Sequence, residues 1–163
     1  MALIDYTTYD EVRAVLGVSD EELGDGTLGL SVYSINLNTE LDSIDSGLAA
    51  HYTIVKALSP PRTAAQQKFF EATSLFATYA VAKQLSSSLP LFSPKDISDG
   101  KASIGRFSDS PYKATIKSIN EYYEKARQGL DTAYGALVSV TSTAVVGNYA
   151  AASSPSSDPV TGT

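Results

Sequence analysis

Cysteine is absent from the 163-residue sequence, and so is tryptophan. Without cysteine there is no disulfide, no thiolate nucleophile and no zinc site of the usual cysteine-rich kind. Histidine occurs once, at His51. A Ser-His-Asp triad would have to run through it, and no G-x-S-x-G elbow accompanies it. Because His51 sits in the apolar stretch LAAHYTIVKAL, a buried or half-buried structural role is expected. No run is long and apolar enough to span a bilayer. The start, MALIDYTTYDEV, lacks the basic and apolar regions of a secretory signal, so a cytosolic chain with no membrane contact is expected. Positive charge is scarce as well. The formal net charge is −6, whereas a general nucleic-acid binder should carry a basic excess.

The charge that is present is unevenly placed. Residues 1–50 hold ten acids, among them Asp20, Glu21 and Glu22, against the single base Arg13. Residues 51–163 hold eleven bases against eight acids. One reading is an acidic solvated face. The other is a subunit whose acidic side, carried by Asp20, Glu21 and Glu22, meets the basic side of an identical neighbour, the heterologous contact that closes rings. Ten tyrosines suit either core and rim packing or a contact surface, since tyrosine offers area with a polar tip.

A chain of this length supports one domain with a modest core and room for an arm, and its dominant period is helical. In TTYDEVRAVLG, Thr7 or Thr8 is a cap, Val12, Val15 and Leu16 form an apolar stripe, and Gly17 is a stop. Ser19 and Glu22 have capping-box spacing, but Gly24 and Gly26 allow only a short turn. A second helix is predicted from Thr27 to about Ile44 on Leu28, Val32, Ile35, Leu37, Leu41 and Ile44. Residues 48–58 read as a strand or a short buried helix, ended by Ser59-Pro60-Pro61. Thr63 caps a central helix to about Ser87, with Phe69, Ala72, Phe76, Tyr79 and Ala80 on one face. Phe70, Leu75, Val81 and Leu85 widen its apolar surface. After Ser110-Pro111, the residues Ile116, Ile119, Tyr123, Ala126, Leu130, Ala133 and Leu137 follow a 3-4-3-4-3-4 spacing. That single seam needs one lengthwise partner, for which an antiparallel Thr63–Ser87 is the simplest choice.

Between these helices lies DISDGKASIGRFSDSPY, with a Gly-Lys pair and several hydroxyls. A phosphate loop of the Walker type requires G-x-x-x-x-G-K-[ST]. Here Lys95 stands where the first glycine should be, and Ala102 where the hydroxyl should be, so this is not a nucleotide loop. The linker 89–110 is longer than most helix–helix connections. KASIGRF alternates weakly and could form a short hairpin or an edge strand that adds to a neighbour's sheet. Lys95, Lys101 and Arg106 are candidates for loop contacts or for lining a DNA channel, with Asp96, Asp99 and Asp109 diluting their charge. DSIDSG, residues 42–47, lacks calcium-loop spacing. No catalytic, cofactor-binding or metal-binding constellation is found, and the chain is not expected to be an enzyme.

After Val138 one charged residue remains, Asp158, in a stretch rich in Ser, Thr, Ala and Pro. Val140, Val145 and Val146 give its first half strand propensity. The expectation is a bundle over 1–138 and an extended arm over 139–163 that contacts another chain through Val140, Val145, Val146 and Tyr149. The alternative is a floppy tail.

LIDYTTYDEVRAVLGVSDEEL, FFEATSLFATYAVAKQL, the stretch from SLPLFSPKD to EKARQGL, and SSPSSDPVT together resemble a head–tail adaptor, also called a connector or head-completion protein, of a tailed bacteriophage. The resemblance covers nearly the whole chain and rests on these phrases rather than on a catalytic motif. It implies an all-α bundle with an extended loop and a terminal arm. It also implies a homo-oligomeric ring, commonly of twelve subunits, beneath the portal protein at the head–tail junction of the virion. Such a ring presents a platform to tail and neck proteins and lets DNA pass non-specifically, without cofactors. Another neck, tail-completion or packaging accessory protein is the alternative, and a small DNA-binding regulator is a more distant one.

Overall fold

The computed structural model describes residues 1–87, the paired segments 96–98 and 103–105, and a helix over 112–152, with side chains described over 1–87 and 113–139. Apart from the paired segments it is all-α. A 3₁₀ turn, Leu3–Asp5, precedes α1 (Tyr9–Leu16), α2 (Asp25–Leu28), α3 (Ser31–Ile44), α4 (Leu48–Ala57), α5 (Ala64–Ser86) and α6 (Tyr112–Ala152).

The punctuation of the sequence explains most of these boundaries. Thr8, not Thr7, caps α1. Its hydroxyl accepts from Glu11 N–H at 3.2 Å, and the Glu11 carboxylate takes Thr8 N–H at 3.1 Å. Gly17 stops α1 with φ of 70°, a left-handed conformation that favours glycine. Thr63 and Gln66 form the same reciprocal box at the start of α5. Residues 48–57 resolve as helix, not strand.

Two predicted elements differ. The helix expected over Thr27–Ile44 is divided, because α2 ends at Leu28 and α3 begins at Ser31. Gly29 lies at the break, where a Cβ would come within 3.2 Å of both the Asp25 carbonyl and the Tyr9 hydroxyl. Of the apolar residues assigned to that helix, Leu28, Leu37 and Leu41 are buried, but Val32 and Ile35 face solvent. The second difference is the arm. Its expected start at residue 139 falls inside α6, which runs on to Ala152 and carries Val140, Val145, Val146 and Tyr149 in helical backbone. Nucleation is the costly step of helix formation, and extension of an existing helix escapes it. Alanine-rich residues 144–152 therefore continue α6 despite their valines.

The core is built on α5. Phe69, Phe76, Ala77, Ala80 and Val81 are fully buried there, and Val12, Leu28, Leu37, Leu41, Leu48 and Tyr52 from the preceding helices close around them. Helix α6 lies antiparallel along α5. Phe69 meets Tyr134 with ring centroids 5.6 Å apart, and Phe76 meets Tyr123 at the same separation. The predicted seam is buried from Ile119 to Leu137, with Ile116 half-buried. That pairing brings Ala64, the first residue of α5, roughly level with Leu137. Helix α6 therefore continues past the start of α5 for some 15 residues, about 22 Å at 1.5 Å per residue. Between α5 and α6, strands β1 (Asp96–Ser98) and β2 (Ser103–Gly105) pair antiparallel, Ile97 opposite Ile104.

Candidate functional site

The acidic corner is organised by a buried base. Arg13, on α1, is 6% exposed. Its Nε donates to the Leu23 carbonyl at 2.8 Å, Nη1 to Asp10 at 2.8 Å, and Nη2 to Asp25. The guanidinium thus ties α1 to the loop 17–24 and to the first residue of α2. Removing it would strand a buried carbonyl. Asp10, Arg13, Ala14, Val18, Asp20 and Asp25 line an open cleft of about 610 Å³ beside this knot. Asp20, Glu21 and Glu22 lie together on the loop and are exposed. Two of the three are held locally: Glu22 exchanges hydrogen bonds with Ser19, and Asp20 accepts Glu21 N–H at 3.1 Å. Sequence reasoning missed the burial of Arg13, whose one distinguishing sign is that it is the only base in the first fifty residues.

A second set of contacts pins α6 to the α3–α4 joint. Tyr134 Oη donates to Asp45 Oδ1 at 3.1 Å and lies 3.2 Å from His51 Nδ1. His51 Nδ1 is also 2.9 Å from the Gly47 carbonyl, and Gly47 N–H donates to Asp45 at 2.7 Å. A Cβ at Gly47 would stand 3.1 Å from both Asp45 Oδ1 and Tyr134 Oη. His51 is half-buried and engaged in this structural knot. Three turns earlier on the α6 seam, Tyr123 Oη donates to Glu40 at 3.0 Å. Burial, with the Glu40 bond second, pushes the Tyr123 phenol up to about 12. Burial likewise raises Tyr6 and Tyr52 to about 12. These long-range tyrosines belong to the core and its rim, the more ordinary of their two readings.

A third surface is the outer flank of α5. Between α1 and α5 runs a groove of about 470 Å³, floored by Ala14, Val15, Phe70 and Tyr79 and edged by Glu11 and Glu71. Leu75, one of the residues that widen the apolar surface of α5, stands in it 52% exposed. On the other side of the same ridge, Lys68 of α5 and Lys125, Gln128, Gly129 and Thr132 of α6 line a smaller hollow of about 290 Å³.

None of these surfaces gathers a nucleophile, a general base and an oxyanion donor in one place. Among the described residues no group of three or more His, Cys, Asp or Glu side chains is placed to hold a metal ion. Also among them, no helix is long and apolar enough to cross a membrane. Lys95, Lys101 and Arg106 lie outside the described residues. Val140, Val145, Val146 and Tyr149 are placed by backbone alone, on the part of α6 that continues past α5. No family model, curated protein or solved structure matches the chain.

Proposed function

We propose that the chain is a structural subunit of the head–tail junction of a tailed bacteriophage, an adaptor that assembles as a ring beneath the portal, joins capsid to tail and continues the DNA channel. The observation that carries this reading is the length of α6 against its partner: 41 residues on a helix of 23. A helix that runs on past the bundle for about 22 Å without a charged residue after Asp131 gains little from solvation and is suited to lie in another chain's groove. Val140, Val145, Val146 and Tyr149 are its proposed contacts, with the portal first and a neighbouring adaptor second. The resemblance of the sequence supplies the portal as partner, and the segregation of acids to residues 1–50 fits the unlike faces that a ring needs. Lys95, Lys101 and Arg106 are proposed to face the tail, a neighbour or the passing DNA.

Mass measurement of the purified protein with and without isolated portal rings tests the reading. The expected result is a monomer or weak oligomer alone and a fixed number of copies added per portal ring, because small interfaces need a template to offset the entropy of association. A chain that leaves portal rings unchanged in mass, or that hydrolyses nucleotides or retards DNA in a gel, contradicts it. Binding to tail proteins but not to portal rings would favour the second reading, a neck or tail-completion protein.

A further inference from the structure

The outer flank of α5 has the anatomy of a contact surface. Its ridge carries Lys68, Glu71 and Leu75, one helical turn apart and all exposed. An apolar groove edged by Glu11 and Glu71 lies on the α1 side of that ridge, and a hollow edged by Lys68 and Lys125 lies on the α6 side. At the centre, Leu75 is 52% and Tyr122 51% exposed. Tyr122 stacks on Tyr79 at 5.6 Å, and Lys125 Nζ stands 5.1 Å from the Tyr122 ring. An apolar centre with tyrosine and a charged rim is the usual composition of a protein–protein interface.

The rim has both signs, and they are separated by the ridge. Of the charged residues that line the two depressions, Glu11 and Glu71 border the α1 side and Lys68 and Lys125 the α6 side, so these four are complementary to themselves when the face is turned by half a turn. From this we infer that a second copy of the same chain docks here, with Leu75 of each copy entering the other's groove. Glu11 and Glu71 of one copy then lie against Lys68 and Lys125 of its partner, twice over, as two-fold symmetry requires. A partner of one sign only would leave half of the rim facing like charge, at a cost in specificity and encounter rate. The contact needs two copies of this chain and nothing else, so it stands or falls apart from the virion role.

Charge exchange between separately purified variants tests it by sedimentation. The wild-type chain should shift toward twice the monomer mass as concentration rises, less so at high salt, where exposed charges are screened. Glu71→Lys alone and Lys125→Glu alone should each weaken this association at least about tenfold, since both Glu71–Lys125 pairs then meet like charge. An equimolar mixture of the two variants restores both pairs and should associate like wild type. Leu75→Asp should abolish the association with helical circular dichroism unchanged, because this side chain lies outside the core. A wild-type chain that stays monomeric at every concentration overturns the inference. So does a Leu75→Asp variant that associates normally, or a mixture no tighter than either variant alone.

Discussion

The two flanks of α5 are finished differently. Toward α6 the contact is aromatic: Phe69 on Tyr134, Phe76 on Tyr123, with Leu130 fully buried between them. Toward α1 it is held at one end by a polar pin, Thr7 Oγ1 at 2.6 Å from Thr78 Oγ1, and opens into a groove where Leu75 meets water. The same helix, apolar nearly all round, thus uses one side to fold and leaves another available. Hydrophobicity in a sequence reports burial in the working state of a protein, and for a subunit that assembles, part of that burial is supplied by other chains.

Substitutions on the two flanks should separate these roles. The largest effect is expected from Leu130→Asp, which places an unpaired carboxylate in the α5–α6 seam and should cost about 3–5 kcal/mol, enough to unfold the bundle in a denaturant titration. Next comes Arg13→Ala, on the α1 side. Loss of the side chain leaves the buried Leu23 carbonyl without its donor. An acceptor stranded in that way costs about 2 kcal/mol, and the α1–α2 corner should loosen by amide hydrogen exchange.

Alkaline titration discriminates more finely. Tyr6, Tyr52 and Tyr123 have folded pKa values raised to about 12 from an ordinary 10. Raised folded values contribute stability that is complete below pH 10 and is lost as pH climbs through 12, because the unfolded chain sheds those protons first. Thermal melts should be flat from about pH 7 to about pH 10 and fall beyond it. Tyr123→Phe should lower stability at neutral pH by about 1 kcal/mol, through loss of the Glu40 bond, and make the alkaline fall shallower. The smallest effect is expected from Leu75→Asp, within about 0.5 kcal/mol of wild type in the isolated monomer. A melt as damaged as that of Leu130→Asp would mean that the α1 flank belongs to the core after all.

Much of the α6 flank was legible in the sequence, because its seam keeps a strict spacing from Ile116 to Leu137 and a single stripe admits a single partner. Caps and stops at Thr8, Gly17 and Thr63 were legible for the same reason: each has one local physical cause. The α1 flank was not. Periodicity assigns Leu75, Val32 and Ile35 to an apolar face but does not say whether that face has a partner within the chain. The space around Gly29 is closed in part by Tyr9, twenty residues away, and Arg13's burial depends on Leu23 and Asp25, so no local window contains these partners. Over 139–152 the β propensity of single valines points to an extended chain, but a formed helix extends cheaply and wins.

The proposed role as an adaptor rests on α6 reaching beyond its own bundle, and one measurement addresses that directly: co-sedimentation of the full chain, and of a chain ending at Val138, with isolated portal rings. The two proteins should melt within about 2 °C of each other, since the part of α6 packed on α5 is retained in both. The full chain should pellet with the rings, and the shortened chain should do so at least about tenfold more weakly. Equal binding by the two, or no binding by the full chain, would contradict the account.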